Sequence, residues 1–285
     1  MIRPLLAGDA FLADVAAARR HPGFRLWWLG QSGFLLQWQG RHLLLDPYLS
    51  DSLTRKYAGT DKPHVRMTER VVAPERLDFV DVVTSSHDHT DHLDADTLGP
   101  LLGANPRLAV VVPEADRDVA GQRLHVDPSR LTVVDAGGEV EAGGFRIAAV
   151  PAAHEEIERD ERGRCRHLGY VVRFGAFTVH HAGDCVPYEG QAERLRPFAV
   201  DVALLPINGR APQRRVPGNF SGEEAARLAH EIGARLVVPC HYEMFAFNTA
   251  SPEAFVAEAR RLGQRCRVLR AGERWTSAEL EDASA

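Results

Sequence analysis

Short apolar runs divided by polar turns set the rhythm of the first half of the chain. The runs at 26–29, 34–38 and 42–45 have the length of strands, and Gly30-Gln31-Ser32-Gly33 and Gln39-Gly40-Arg41 separate them as in a β-meander. Trp27, Trp28 and Trp38 within them read as sheet core. Further runs at 79–83, 108–112, 131–134, 145–150, 170–174, 177–181 and 202–205 read as strands, with Gly-Gly pairs at 137–138 and 143–144 marking turns. Ahead of the meander, Phe11, Leu12, Val15 and Ala16 fall at helical spacing and predict an amphipathic N-terminal helix over 10–19. Helix signals return near the end. Ser221 and Glu224 form a capping box before 225–232, which Gly233 closes. Ser251-Pro252 opens a second helix that ends near Gly263, and a strand over 235–239 lies between the two.

Residues 46–70 break this rhythm. The stretch is polar and without period, and carries Arg55, Lys56, Lys62, His64, Arg66 and Arg70, as a functional loop does. No Pro-, Ser- or Gly-rich linker and no fixed repeat divides the chain. One domain over 1–285 is expected, with a helical extension at 1–24, an insertion loop at 46–70 and a mobile tail at 279–285. Strand runs with interspersed helices suit an α/β (α+β) architecture of two sheets face to face with helices outside.

Composition narrows the class. The 285 residues are 45% apolar and 26% charged, with a net charge of −5, which describes an ordinary globular protein with no basic excess to favour nucleic acid. No apolar run is long enough to span a bilayer, so no membrane partner is expected. The first 20 residues contain Asp9 and Asp14 and do not read as a secretory signal. Four cysteines, none in a C-x-x-C pair, suit a reducing cytoplasm, and Cys185 and Cys240 read as small buried apolar residues more than as ligands.

The chemistry concentrates in His87-Asp88-His89-Thr90-Asp91-His92, directly after an apolar strand run. Four metal-ligand side chains within six positions suit zinc, manganese or iron, and a short turn lets them serve two adjacent ions. This H-x-H-x-D-H pattern resembles the metallo-β-lactamase superfamily. Later stretches extend the resemblance in order: His154 after the run 145–153, Asp184 in Gly183-Asp184 after 179–182, and His241 after 235–240. The resemblance covers residues 25 to 245 and implies a four-layer αββα sandwich of two mixed sheets flanked by helices, with the metals at one sheet edge. It implies that His87, His89 and His154 hold a first divalent ion, that Asp91, His92 and His241 hold a second, and that Asp184 bridges them. A water shared by two cations would lose its proton easily and attack an electrophilic carbonyl or phosphorus, with Asp91 orienting it and taking up the proton. Asp46, after Leu43-Leu44-Leu45 and before Pro47, is expected either to hydrogen-bond a ligand histidine or to be an ordinary turn aspartate. His181 is placed on the site side of its strand, as a supporting residue or a core histidine. His21, His42, His64, His125, His167 and His230 read as surface or loop residues.

Within the superfamily, three stretches resemble the L-ascorbate-6-phosphate lactonase group: 26–33, 87–94, and 170–184 followed by 201–204. That resemblance implies a small anionic lactone or ester as substrate, with manganese or zinc. The short segment between Pro151 and Gly169 departs from that lactonase. The competing reading is a phosphodiesterase of the same fold acting on a nucleotide or phospholipid. A di-iron oxidoreductase would replace His89 by glutamate and add a flavin domain, and a metal-binding module without catalysis would have lost ligands first. Asn208 and Arg210 are candidates for holding a polar or anionic substrate, or else form an N-G turn with a solvated arginine. Tyr242 and the basic 55–70 loop are further candidates. Relatives of this kind are often homo-oligomers, and no interface can be read from the sequence.

Overall fold

The meander predicted from the turns is the start of the first sheet. In the computed structural model, which describes residues 1–19 and 22–281, α1 (Gly8–Ala18) precedes β1 (Phe24–Gly30), β2 (Gly33–Trp38) and β3 (Arg41–Leu45). Next come α2 (Ser52–Lys56), β4 (Val82–Thr84), α3 (Ala95–Ala104), β5 (Ala109–Pro113), α4 (Arg117–Leu124) and β6 (Thr132–Val134). The second half runs β7 (Glu139–Ala142), β8 (Phe145–Pro151), β9 (Leu168–Phe174), β10 (Phe177–His181), α5 (Gln191–Leu195) and β11 (Val202–Pro206). It closes with α6 (Gly222–Glu231), β12 (Leu236–Cys240), α7 (Glu253–Leu262) and β13 (Arg274–Thr276).

The strands form two mixed sheets ordered β13-β1-β2-β3-β4-β5-β6 and β12-β11-β10-β9-β8-β7. Strands β3 to β6 are parallel, as are β10 to β12, and the rest pair antiparallel. All seven positions of β1 are buried, because both of its faces are covered. On the outer face Phe11 packs on Trp27, whose Nε1 donates to Asp14 Oδ2 at 2.8 Å, which docks α1. Between the sheets, Phe24 meets Phe174 and Phe177, and Trp38 meets Phe145 and Phe174. These aromatic contacts, with ring centroids 4.9 to 6.4 Å apart, make the interleaf of the sandwich. Helix α4 packs on β5 and carries α3, while α6 lies on β11 and β12 and carries α7. Two sheets flanked by helices are therefore the observed architecture.

The structure departs from the sequence reading in two places. The 46–70 stretch is not wholly irregular, since it contains α2 and an isolated bridge from Arg66 to Phe245. The start of the expected mobile tail is ordered: Ser277–Leu280 is a 3-10 turn with its own capping box, and Leu280 is buried in the core. Residues 282–285 lie outside the described residues, as does His21. Among the described residues no helix is long and apolar enough to cross a membrane.

Candidate metal centre

Five strand ends converge on one edge of the sandwich. Asp46 follows β3, His87 to His92 follow β4, His154 follows β8, Asp184 follows β10 and His241 directly follows β12. Strands β8 and β10 both run antiparallel to β9, so their ends share one side with the parallel β11 and β12. The β4 loop turns at His89, whose carbonyl accepts from His92 N at 3.0 Å and Leu93 N at 2.8 Å. Asp94 then caps α3, accepting from Thr97 Oγ1 at 2.6 Å. The two sheets touch where Gly183, at φ +62°, passes Ser86; a Cβ there would fall 2.6 Å from Ser86 Cβ.

All seven expected ligands come together. His87, His89 and His154 form one group and Asp91, His92 and His241 another, each with its ligand atoms within 4.8 Å of one another. A third group, His87, His92 and Asp184, takes one histidine from each of those sets. Asp184 Oδ1 lies 3.3 Å from His92 Nε2, and its Oδ2 lies 3.6 Å from His154 Nε2 and 3.4 Å from His241 Nε2. Buried lone pairs are normally satisfied, yet His87 Nε2, His92 Nε2 and Asp184 Oδ1 are buried with no hydrogen-bond partner. Imidazoles and carboxylates converging with unsatisfied lone pairs fit divalent cations.

Two of these histidines are held from behind through Nδ1. His92 Nδ1 meets Asp46 Oδ2 at 2.7 Å, and His154 Nδ1 meets Gly218 O at 3.0 Å. Ser86 N donates to Asp46 Oδ1 at 3.0 Å, and Ser86 Oγ donates to Asp46 Oδ2. Such partners can fix the tautomer that leaves Nε2 free for a metal, and of its two readings Asp46 has the one in which it hydrogen-bonds a ligand candidate, His92.

Burial is the largest single influence on His87, Asp91, His92, His154, His167, Asp184 and His241. It pushes His154 and His167 down to about 4 and His87 well below its usual value. At His92 and His241 the same penalty is outweighed by Asp184 and Asp91. His92 is held well above its ordinary range and His241 at about 9. Burial would raise Asp184 and Asp91, but those two histidines hold both carboxyls well below the usual carboxylate range. His87 and His154 thus offer neutral imidazoles, while a cation bound at His92 and His241 would displace protons.

Several expectations need correcting. Of the two readings of His181 the core histidine holds and the supporting role does not: its Nε2 meets Ser32 O at 2.9 Å and braces the β1–β2 turn. Asn208 does not face the cleft, because Asn248 and Asn219 hold its amide at 2.9 and 3.0 Å. Arg210 is engaged by Glu224 through both Nη atoms, at 2.8 and 2.6 Å. Tyr242 is buried under Trp28, with ring centroids 4.4 Å apart, and donates its hydroxyl to Leu269 O. Cys185 and Cys240, by contrast, are buried as expected; burial pushes the Cys185 thiol up to about 12 and raises that of Cys240, which suits inert core thiols. His42 is buried against Gln37 rather than at the surface.

Other residues at the site carried no such expectation. Gln31 Nε2 donates to Asp91 Oδ2 at 2.7 Å and lies 3.0 Å from His241 Nε2. Its place in a Gly-rich turn was visible, but not its direction. His167, expected at the surface or in a loop, is instead buried beside the first set, with ring centroids 4.9 Å from His87 and 5.6 Å from His154. Arg123, on α4, donates to the carbonyls of Asp88 and Leu93 and clamps the metal loop from outside. A cleft of about 290 Å³ opens over the centre, lined by His89, Asp91, His154, Asp184 and His241 on one side. His64, Tyr57, Phe245, Phe247 and Lys56 line the other.

Residues 25–241 match the model of a family described as the beta-lactamase superfamily domain. A UPF0173 metal-dependent hydrolase of Rubrobacter xylanophilus is 31% identical over 250 residues, covering 85% of this chain and 90% of that one. Among solved structures, a possible metal-dependent hydrolase from Veillonella parvula superposes with a TM-score of 0.71 at 17% identity, covering 89% of this chain and 99% of that one. An isothiocyanate hydrolase from Delia radicum gut bacteria gives 0.69 at 20% identity, covering 88% and 98%. At these identities the structures speak for the fold.

Proposed function

Because the chain belongs to the beta-lactamase superfamily, with metal-dependent hydrolases among its relatives, we propose that it uses two divalent cations to hydrolyse a small anionic lactone or related ester. His87, His89 and His154 would hold one cation, Asp91, His92 and His241 the other, and Asp184 both. Zinc and manganese both suit this donor set, and iron is not disfavoured by it. When bound, the cations would supply an acidified water and polarise the scissile carbonyl.

The chain's own groups do the rest. Asp91 is the catalytic residue of this reading: Gln31 fixes its Oδ2, leaving the other oxygen to orient the attacking water and to carry a proton towards the leaving oxygen. Asp46 keeps His92 in one tautomer. The cleft's volume suits a small molecule rather than a polymer. The observation that carries the reading is that the ligand atoms fall into two groups of three, with the Asp184 carboxylate between them.

Acid release tests it. Protein loaded with manganese or zinc should release protons from L-ascorbate 6-phosphate, simple lactones or carboxylic esters, and a chelator should abolish this. Turnover of phosphodiesters alone would replace the reading with a phosphodiesterase.

A further inference from the structure

The wall of the cleft opposite the ligands is aromatic, and two segments remote in sequence build it. Tyr57 stacks on His64 with centroids 4.2 Å apart and planes 19° apart. His64 in turn meets the edges of Phe245 at 5.0 Å and Phe247 at 4.6 Å. The segments are tied by backbone bonds, Ala246 N to Val65 O at 3.0 Å and Met67 N to Met244 O at 2.8 Å. The wall is therefore formed before any ligand arrives. His64 and Phe245 are buried supports, whereas Tyr57 and Phe247 are half-exposed and present ring surface to the cleft.

Polar groups on this wall are few, and Asn248 Oδ1 among them already accepts from Asn208 and Arg214. The Nδ1 of His64 is taken by Lys62 O at 3.0 Å. Leu53, Val216 and Pro217 continue the lining with apolar groups. A sugar would need donors and acceptors along its whole rim, and this wall does not supply them. One cation interrupts it. Lys56, one of only two lysines in the chain, lies at the rim 3.4 Å from Thr90 Oγ1 and 5.4 Å from the Tyr57 ring. It forms no ion pair with a carboxylate among the described residues, whereas Arg123, the other cation lining the cleft, is committed to two carbonyls.

We infer that Tyr57 and Phe247, backed by His64 and Phe245, bind a flat aromatic ring while Lys56 pairs with an anion, so that the substrate is an aryl-bearing anionic ester or lactone rather than a sugar lactone. This rests on the hydrolase reading above and specifies its substrate class. The ring stacks on the wall with its scissile carbonyl towards Asp91, and the carboxylate or phosphate reaches the ammonium at the rim.

Two methyl esters of equal charge test this on the metal-loaded protein. Monomethyl terephthalate should be hydrolysed with kcat/KM at least about tenfold above monomethyl adipate. Phe247→Ala should bring that ratio close to one, chiefly through KM for the aryl ester. Lys56→Met should remove the preference for monomethyl terephthalate over neutral methyl benzoate. Equal rates for the aryl and alkyl esters in the unmodified protein, or a Phe247→Ala variant that slows both alike, would overturn the inference. If no ester or lactone is turned over, the hydrolase reading itself fails. Calorimetric binding of terephthalate against adipate then still decides: a preference for terephthalate that is lost in Phe247→Ala supports the wall, and equal binding overturns it.

Discussion

Asp46 shows how much of the centre depends on one carboxylate that never reaches the cleft. Its two oxygens take Ser86 N, Ser86 Oγ, Thr84 Oγ1 and His92 Nδ1, all in the interior. An amide at this position keeps one acceptor but sets an NH2 against N–H or O–H donors. Asp46→Asn should therefore weaken metal binding by about 10- to 100-fold, read by competition with a chelator. Unchanged affinity would mean that the His92 ring is held by packing alone. Asp116 makes the opposite case, a buried acid with an unsatisfied oxygen. Burial raises its carboxyl to about 7, with Asp88 adding to the shift. In the unfolded chain such a group titrates near about 4, so between those values the folded form holds a proton the unfolded form has lost. Stability from this group is thus full below about pH 4 and falls as pH rises to about 7. Asp116→Asn should stabilise the protein at pH 8, by at most about 4 kcal/mol, and should leave it unchanged near pH 4. Denaturant unfolding at the two pH values measures the difference.

At the scale of elements, local chemistry made some parts legible and left others silent. Helices α6 and α7 were visible because their ends are written in sequence: Ser221 with Glu224 forms the observed capping box, and Gly263 takes the left-handed position after α7. Ser221→Ala should cost about 1 kcal/mol of stability, seen as a lower midpoint of chemical unfolding, while metal content stays the same. Helix α3 gave no such signal, because Gly99, Pro100 and Gly103 read as breakers although the helix runs through them. Helix α4 has little apolar periodicity, since four of its eight residues, RDVAGQRL, are polar and Val119 and Leu124 are its only large apolar ones. Strands β7 and β13 are short, with four and three residues, and their partners rather than their own residues make them strands.

Across the whole molecule, the candidate metal centre lies at the seam of the sandwich. One sheet delivers Asp46 and the His87–His92 loop, and the other delivers His154, Asp184 and His241. Of the seven ligand candidates, those at 87–92 were legible because imidazoles and carboxylates crowd one strand end, and His154, Asp184 and His241 through the family resemblance that expects them in that order. The cleft's far wall was not, because it exists only where residues 57–64 meet 245–247, and no local pattern signals a contact across 180 residues of chain. His167 stayed hidden for the same reason, being an isolated histidine placed against His87 by the pairing of β8 with β9. Asn208, Arg210 and Tyr242 looked exposed to substrate because they lie just beyond or beside strand ends, but packing turned each towards a protein partner. The central claim is that this seam holds two cations with Asp184 shared between them. Its most direct test is metal stoichiometry after loading and desalting, for the unmodified protein and for Asp184→Asn. The account predicts two ions per chain for the first and one or none for the second. A single ion in the unmodified protein, or two retained in Asp184→Asn, would contradict it.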